Sequence, residues 1–171
     1  HGARPDVAVS AAEIMCDTYQ QLLRIPSNHH EAAKTCVISP CVLHSGTRFN
    51  VIPGEAVIEG TIRFMGIEDG AILEERVRHV AEAVAAFHGG TAQVQFTPVA
   101  RYPVVNDEKM TAIGREAAKA VGFKHFDMPN SSASDNFAEF LHAFPGYYCF
   151  VGSQPRRPGT SGIHHAPDFD L

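Results

Sequence analysis

One stretch limits the possible folds more than any other: 55-EAVIEGTIRF-64 alternates apolar and polar side chains along its length. Ala56, Ile58, Ile62 and Phe64 share one face, and Glu55, Glu59, Thr61 and Arg63 share the other. That period of two belongs to a half-buried strand, with Arg63 pointing away from the core. Such a strand needs a layer against its apolar face, and a helix-period stripe lies on either side of it in the sequence. From Pro5 to about Ile25, the residues Ala8, Ala11, Met15, Tyr19 and Leu22 recur at three- and four-residue spacing; Pro5 suits a first helical turn and Pro26 is expected to end the helix. From about Gly70 to His88, a second stripe of Leu73, Val77, Val80, Val84 and Phe87 is stopped by Gly89-Gly90.

Two further strands are expected. The segment 36-CVISPCVLHS-45 is dense in β-branched and apolar residues, and Pro40 points to an edge or a bulge. After the 53-PG-54 turn and the second helix, 92-AQVQFTPVARYP-103 alternates as a strand. Helix, strand, strand, helix, strand is the βαββαβ sandwich lacking its first strand, an α+β fold. Because a missing strand leaves a sheet edge uncovered, its expected place is just upstream of His1.

Beyond Pro103 the pattern changes. Asn106 is expected to cap a helix running to Val121, with Met110, Ile113, Ala117 and Val121 on one side and Gly122 as its stop. A short helix follows within 131-SSASDNFAEFLHAF-144, entered through a polar turn, and 147-YYCFVG-152 has the length of a buried strand. A Pro/Gly-rich loop, 153-SQPRRPGTSG-162, leads to a histidine pair. The expected division is one small α+β domain over 1–104 and an incomplete second piece over 105–171.

Composition excludes several classes. An apolar content of 44% with a net charge of −5 is that of a soluble globular protein, and the 14 basic residues form no stripe for nucleic acid. Apolar runs such as 147-YYCFV-151 are too short to cross a bilayer, and no leader precedes the first helix, so the expected setting is cytoplasmic. The four cysteines, Cys16, Cys36, Cys41 and Cys149, lack CxxC spacing and are expected to be reduced and mostly buried.

Four sets of residues carry candidate chemistry. His164 and His165, beside Asp168 and Asp170, offer imidazole and carboxylate donors suited to zinc, manganese or cobalt, although on spacing alone a solvated pair is the commoner case. His1 could carry a proton or donate a hydrogen bond near neutrality, or could be an ordinary loop residue. Asn50 could donate to an oxyanion and Arg63 could fork onto a carboxylate; equally, Asn50 could only shape a turn and Arg63 could only pair with Glu59. Ser131, Ser132 and Ser134 with Asp135 and His142 resemble parts of a hydrolase triad, but no GxSxG elbow exists.

Taken in order, 1-HGARP-5, 46-GTRFNVIPGEAVIEGTIRF-64, 102-YPVVND-107, 134-SDNFAEF-140 and 163-IHHAPDFD-170 resemble the M20 metallopeptidase family, in its aminoacylase and amidohydrolase branch. The resemblance implies a lid and dimerisation domain of ferredoxin-like topology over 1–104 and the returning part of an α/β catalytic domain over 105–171. It implies that His1 reaches the active site of a partner subunit, that Asn50 lies near the substrate, that Arg63 holds the substrate carboxylate, and that His165 ligates the metal. It further implies a homodimer, divalent metal ions (zinc, manganese or cobalt) and an N-acyl amino acid or related small amide as substrate. The histidines at the two termini then read as pieces of a site whose other ligands and general base precede the lid, so the chain is expected to be a C-terminal fragment that binds no metal stably by itself. A truncated or degenerate member that keeps only dimerisation is the alternative. Asp135-Asn136 departs from the acidic pair usual in this branch.

Overall fold

The computed structural model describes residues 1–28, 30–97, 101–152, 157–160, 162 and 166–170. Helix α1 (Ala11–Asn28) starts where Ser10 Oγ accepts the Glu13 amide at 3.4 Å. It begins later than the periodicity predicts, because Pro5–Val7 form a separate 3-10 turn. It also runs through Pro26. The missing N–H falls in the last turn, where it costs one hydrogen bond only, and Ser27 Oγ satisfies the Arg24 carbonyl at 3.2 Å.

Strands β1 (Cys36–Ser45) and β2 (Ala56–Phe64) pair antiparallel, with Cys36 opposite Phe64 and Ser45 opposite Ala56. The irregularity expected at Pro40 is present: the register slips between Pro40 and Val42, leaving Cys41 as the extra residue. Opposite the bulge only glycine fits, since a Cβ on Gly60 would lie 2.5 Å from the Ser39 oxygen. Helix α2 (Asp69–Phe87) ends where Gly89 takes φ +77° and the Gly90 amide reaches back to the Ala85 carbonyl at 2.8 Å.

Both helices pack on this sheet and on each other. Leu22, Ile25, Ile38 and Leu73 form the buried cluster, ringed by Cys36, Ile58, Ile62, Phe64, Val77 and Val80. The α1 stripe is therefore shifted from the expected one: Thr18 and Ile25 are buried, and Ala8 is exposed. Phe87, expected in the α2 stripe, is 84% exposed at the helix end, beside the His88 ring. Two polar ties close the layer. His88 Nε2 meets Asp17 Oδ2 at 2.8 Å, and Lys34 Nζ reaches the buried Asp69 carboxylate at 2.8 Å.

The predicted third strand is not formed as a paired strand among the described residues. Residues 91–97 keep its alternation, with Ala92, Val94 and Phe96 half-buried and Thr91, Gln93, Gln95 and Thr97 exposed. Arg78 Nη1 holds the Val94 carbonyl at 3.0 Å, and its guanidinium lies over the Phe96 ring. This segment and β2 both line an open cavity of about 1100 Å³.

Helices α3 (Glu108–Ala120) and α4 (Phe137–Ala143) follow. Asp107, not Asn106, caps α3, accepting the Met110 amide at 2.9 Å. The Asn106 amide instead grips the Tyr148 backbone: Nδ2 donates to its carbonyl and Oδ1 accepts its N–H, both at 2.8 Å. Ile113, Ala117 and Val121 of the expected α3 stripe are exposed, and so are residues 149–152, which form no strand. No other element among the described residues covers them. The four cysteines are free, as expected, but Cys16, Cys41 and Cys149 are exposed and only Cys36 is half-buried. Burial raises the Cys36 thiol above its usual value, and the neighbouring Asp69 charge adds to this. Among the described residues no helix is long and apolar enough to cross a membrane.

Candidate functional site

The loop between β1 and β2 and the first turn of the chain meet. Gly2 donates its amide to the Asn50 carbonyl at 2.8 Å, and the Ala11 amide, at the start of α1, donates to the Pro53 carbonyl at 3.0 Å. Two of the four sequence-predicted residues, His1 and Asn50, are thereby brought to one end of the sheet. Glycine permits the close approach, because a Cβ on Gly2 would sit 3.3 Å from the Asn50 oxygen.

His1 is exposed. Its Nδ1 accepts the Ala3 amide at 3.2 Å, which places the ring's proton on Nε2 in the neutral form. Arg4 does not compete for the imidazole, since its guanidinium is bound bidentately to Asp6 at 2.9 and 2.8 Å. That pairing raises Arg4 and lowers Asp6 from their ordinary values. The Asn50 carboxamide is exposed and makes no hydrogen bond to a described residue. An Nε2–H and an amide N–H at one loop cluster are donors of the kind that meet a developing oxyanion.

Arg63 is not with them. It lies seven positions along β2 from Ala56, about 23 Å at strand rise. It is half-buried, one Nη1–H is spent on the Ile62 carbonyl at 3.0 Å, and it forms no ion pair with Glu59 or any other described residue. Arg63 also helps to line the cavity beside β2.

His164 and His165 lie outside the described residues. Asp170 is occupied otherwise: its Oδ2 accepts the Arg157 amide at 3.0 Å and lies 3.4 Å from the Thr160 hydroxyl, so it ties down the 157–160 turn. Asp168 is exposed. Among the described residues no three His, Cys, Asp or Glu side chains gather as a metal site would require, so the described part does not by itself fit a metal ion.

The triad-like residues are dispersed. His142 stacks on Tyr102, with ring centroids 3.7 Å apart, and Ser131 Oγ accepts the Ala133 amide at 3.2 Å. Asp135 receives the Phe137 amide at 2.8 Å and the Tyr148 hydroxyl at 3.1 Å, which makes it the entry turn of α4. Burial, and then Asp135, push the Tyr148 phenol above its usual value. The neighbouring Asn136 makes no side-chain cap. The Asn106 grip on Tyr148 and the Lys34–Asp69 pair have no local sequence signal, because their partners lie 42 and 35 residues apart.

Residues 1–88 match the family model described as the peptidase dimerisation domain of M20 enzymes. Over 99% of its length the chain is 31% identical to an uncharacterised hydrolase, y4tI, of Sinorhizobium fredii, of which it covers 42%. Over its full length it is 28% identical to the N-acetylcysteine deacetylase of Bacillus subtilis, covering 43% of that protein. A solved structure from Bacillus subtilis, the YXEP protein, described as a dinuclear metal-binding peptidase of the M20 family, superposes with a TM-score of 0.64. It is 27% identical to this chain, and the match covers 81% of this chain and 35% of that one. The chain thus spans less than half the length of these relatives. With more than half of its residues matched by the family model, the chain belongs to the M20 peptidase family and carries its dimerisation domain.

Proposed function

We propose that this chain is part of a longer metal-dependent amidohydrolase that cleaves the amide bond of N-acyl amino acids or related small amides. In this reading residues 1–104 are its lid and dimerisation domain and residues 105–171 belong to its catalytic domain. The observation that carries the reading is the dimerisation-domain match over residues 1–88, in a chain that holds His1 against the Asn50 loop. The relative named N-acetylcysteine deacetylase supports an N-acyl substrate, and the relative described as dinuclear metal-binding supports divalent ions, here zinc, manganese or cobalt.

Two copies pair through residues 1–104. His1 of one copy then donates from Nε2 to the oxyanion forming in the site of the other, with the Asn50 amide as a second donor. Arg63, whose guanidinium keeps free donors, forks onto the substrate carboxylate. About 23 Å of strand separates Arg63 from the His1 end, so the two act on one substrate only if they come from different subunits or if the domains close. His165 supplies one metal ligand and polypeptide outside this chain supplies the rest; a bound divalent ion provides the Lewis acid for hydrolysis.

A complementation experiment on the longer enzyme tests this. Subunits bearing His1→Ala are mixed with subunits bearing His165→Ala, each inactive alone, and allowed to exchange. Heterodimers should regain one working site of two, giving about half the wild-type rate per heterodimer, while Asn50→Ala lowers kcat by about 100-fold as an oxyanion donor would. No recovery despite demonstrated heterodimers would overturn the role of His1 across the dimer. Absence of metal-dependent amidase activity in the wild-type enzyme would leave dimerisation as the family property this chain retains.

A further inference from the structure

We propose, resting on the amidohydrolase reading of the chain, that Phe49 is a specificity-determining residue whose ring covers the acyl chain of the substrate. The enzyme then favours N-acyl amino acids whose acyl group is apolar and longer than acetyl. Phe49 is 104% exposed, the most exposed of the large apolar side chains among the described residues, so its ring lies outside the packing of this chain. Single apolar residues on a surface are ordinary, but this one stands on a fixed support. The Val51 amide donates to the Arg48 carbonyl at 3.3 Å, closing a turn whose two central residues are Phe49 and Asn50. The Gly2 amide ties that turn at the Asn50 carbonyl, and the Ala11 amide ties the chain beyond it at the Pro53 carbonyl. At the base of the loop Ser45 Oγ donates to the Glu55 carbonyl at 3.0 Å. A ring on a backbone already held in place loses little further freedom when a ligand packs on it, which favours an anchoring contact.

Its neighbour on the turn decides which part of a substrate the ring meets. Asn50 and His1 are the donors at this end of the sheet, and the oxyanion they would meet forms on the carbonyl carbon of the amide. That carbon has two substituents, the acyl chain and the nitrogen of the amino acid. The amino-acid side carries the carboxylate and is taken, in that reading, by Arg63. The acyl side is the one left to a group beside Asn50. Consecutive Cα atoms lie about 3.8 Å apart, so a ring on residue 49 reaches the first carbons beyond a carbonyl bound at residue 50. An acetyl methyl covers little of a phenyl face, whereas a chain of several carbons lies along it. Val51, 50% exposed on the other side of Asn50, extends the same apolar surface. The competing reader of the acyl group is Arg48, which is exposed on the same turn and forms no ion pair with a described residue. It would select an acidic acyl group instead.

The experiment uses the longer enzyme with divalent metal supplied and reads kcat/KM for N-acetyl-, N-hexanoyl- and N-succinylalanine. Wild type should favour N-hexanoylalanine over both of the others. In Phe49→Ala the hexanoyl-to-acetyl ratio should fall by about tenfold, less than a closed pocket would give, because one ring covers one side of a chain. Phe49→Leu keeps an apolar cover, and its ratio should fall by about threefold or less. In heterodimers of His1→Ala with His165→Ala subunits, Phe49→Ala should lower the ratio when it is placed on the His165→Ala subunit, which supplies His1, and not when it is placed on the other. An equal loss on the acetyl and hexanoyl substrates overturns the acyl contact. So does a wild-type preference for acetyl, or for succinyl, since Arg48 would then read the acyl group. A weaker dimer in Phe49→Ala with the ratio unchanged overturns it as well, because the ring would then lie against protein of the second copy. Each of these outcomes leaves the amidohydrolase reading standing, whereas a wild-type enzyme without metal-dependent amidase activity on any of the three substrates overturns both.

Discussion

Asp69 shows how one buried carboxylate can set the acid limit of this fold. It is 1% exposed, accepts from Lys34 and from the Gly66 amide, and opens α2. The Lys34 hydrogen bond holds its carboxyl below the usual range against the opposing effect of burial, and Lys34 is raised in return. A carboxylate lowered on folding contributes stability above its unfolded value of about 4, and that contribution is lost as pH falls through the folded value. Urea titrations should therefore show stability falling below about pH 4, with the fall reduced in Asp69→Asn. At pH 7 that variant should be less stable by about 1–3 kcal/mol, since it weakens a buried acceptor. Asn106 makes the opposite kind of demand. Its carboxamide presents one donor and one acceptor to Tyr148, so Asn106→Asp keeps the shape but turns an acceptor toward a carbonyl. Loss of about 1 kcal/mol is expected in denaturant titrations, with a comparable loss in Asn106→Ala.

At the scale of elements, burial and exposure separate positions the sequence cannot. Leu73 and Phe87 both lie on the predicted α2 stripe, yet Leu73 is fully buried and Phe87 hangs past the last turn. Leu73→Ala should cost about 2–5 kcal/mol and Phe87→Ala about 0.5 kcal/mol or less, as measured by chemical denaturation. The helices and strands of the first half were legible because each has a strong period and a stop: Gly89-Gly90 ends α2, and β1 and β2 match their predicted spans to within one residue. Pro26 misled because a proline in a final turn removes one hydrogen bond and need not end a helix. The strands expected at 92–103 and 147–152 have the right pattern, but a ladder depends on a neighbour, and sequence pattern does not supply one. The His1–Asn50 approach was not legible from spacing, because a backbone hydrogen bond between residues so far apart leaves no periodic trace. Arg63's distance from that pair follows from β2 once its span is known.

For the whole molecule, the lack of a gathered metal-ligating cluster among the described residues has an expected outcome. Purified 171-residue chain with added zinc, manganese or cobalt should show no turnover of N-acyl amino acids above background, because no described cluster can hold an ion. Metal-dependent hydrolysis by that chain would contradict this. Among the described residues helices α3 and α4 pack on none of α1, β1, β2 or α2, and Arg101 reaches both sets of elements, its amide bound to Glu139 at 2.8 Å and its guanidinium 3.9 Å from Glu74. Elements that do not pack on one another share little of the apolar burial that makes melting all-or-none. Calorimetry should record a van't Hoff enthalpy smaller than the calorimetric one, with the α1–β1–β2–α2 layer melting last. No single melting temperature should then describe one equilibrium, and a substitution in α3 should leave the upper transition where it was.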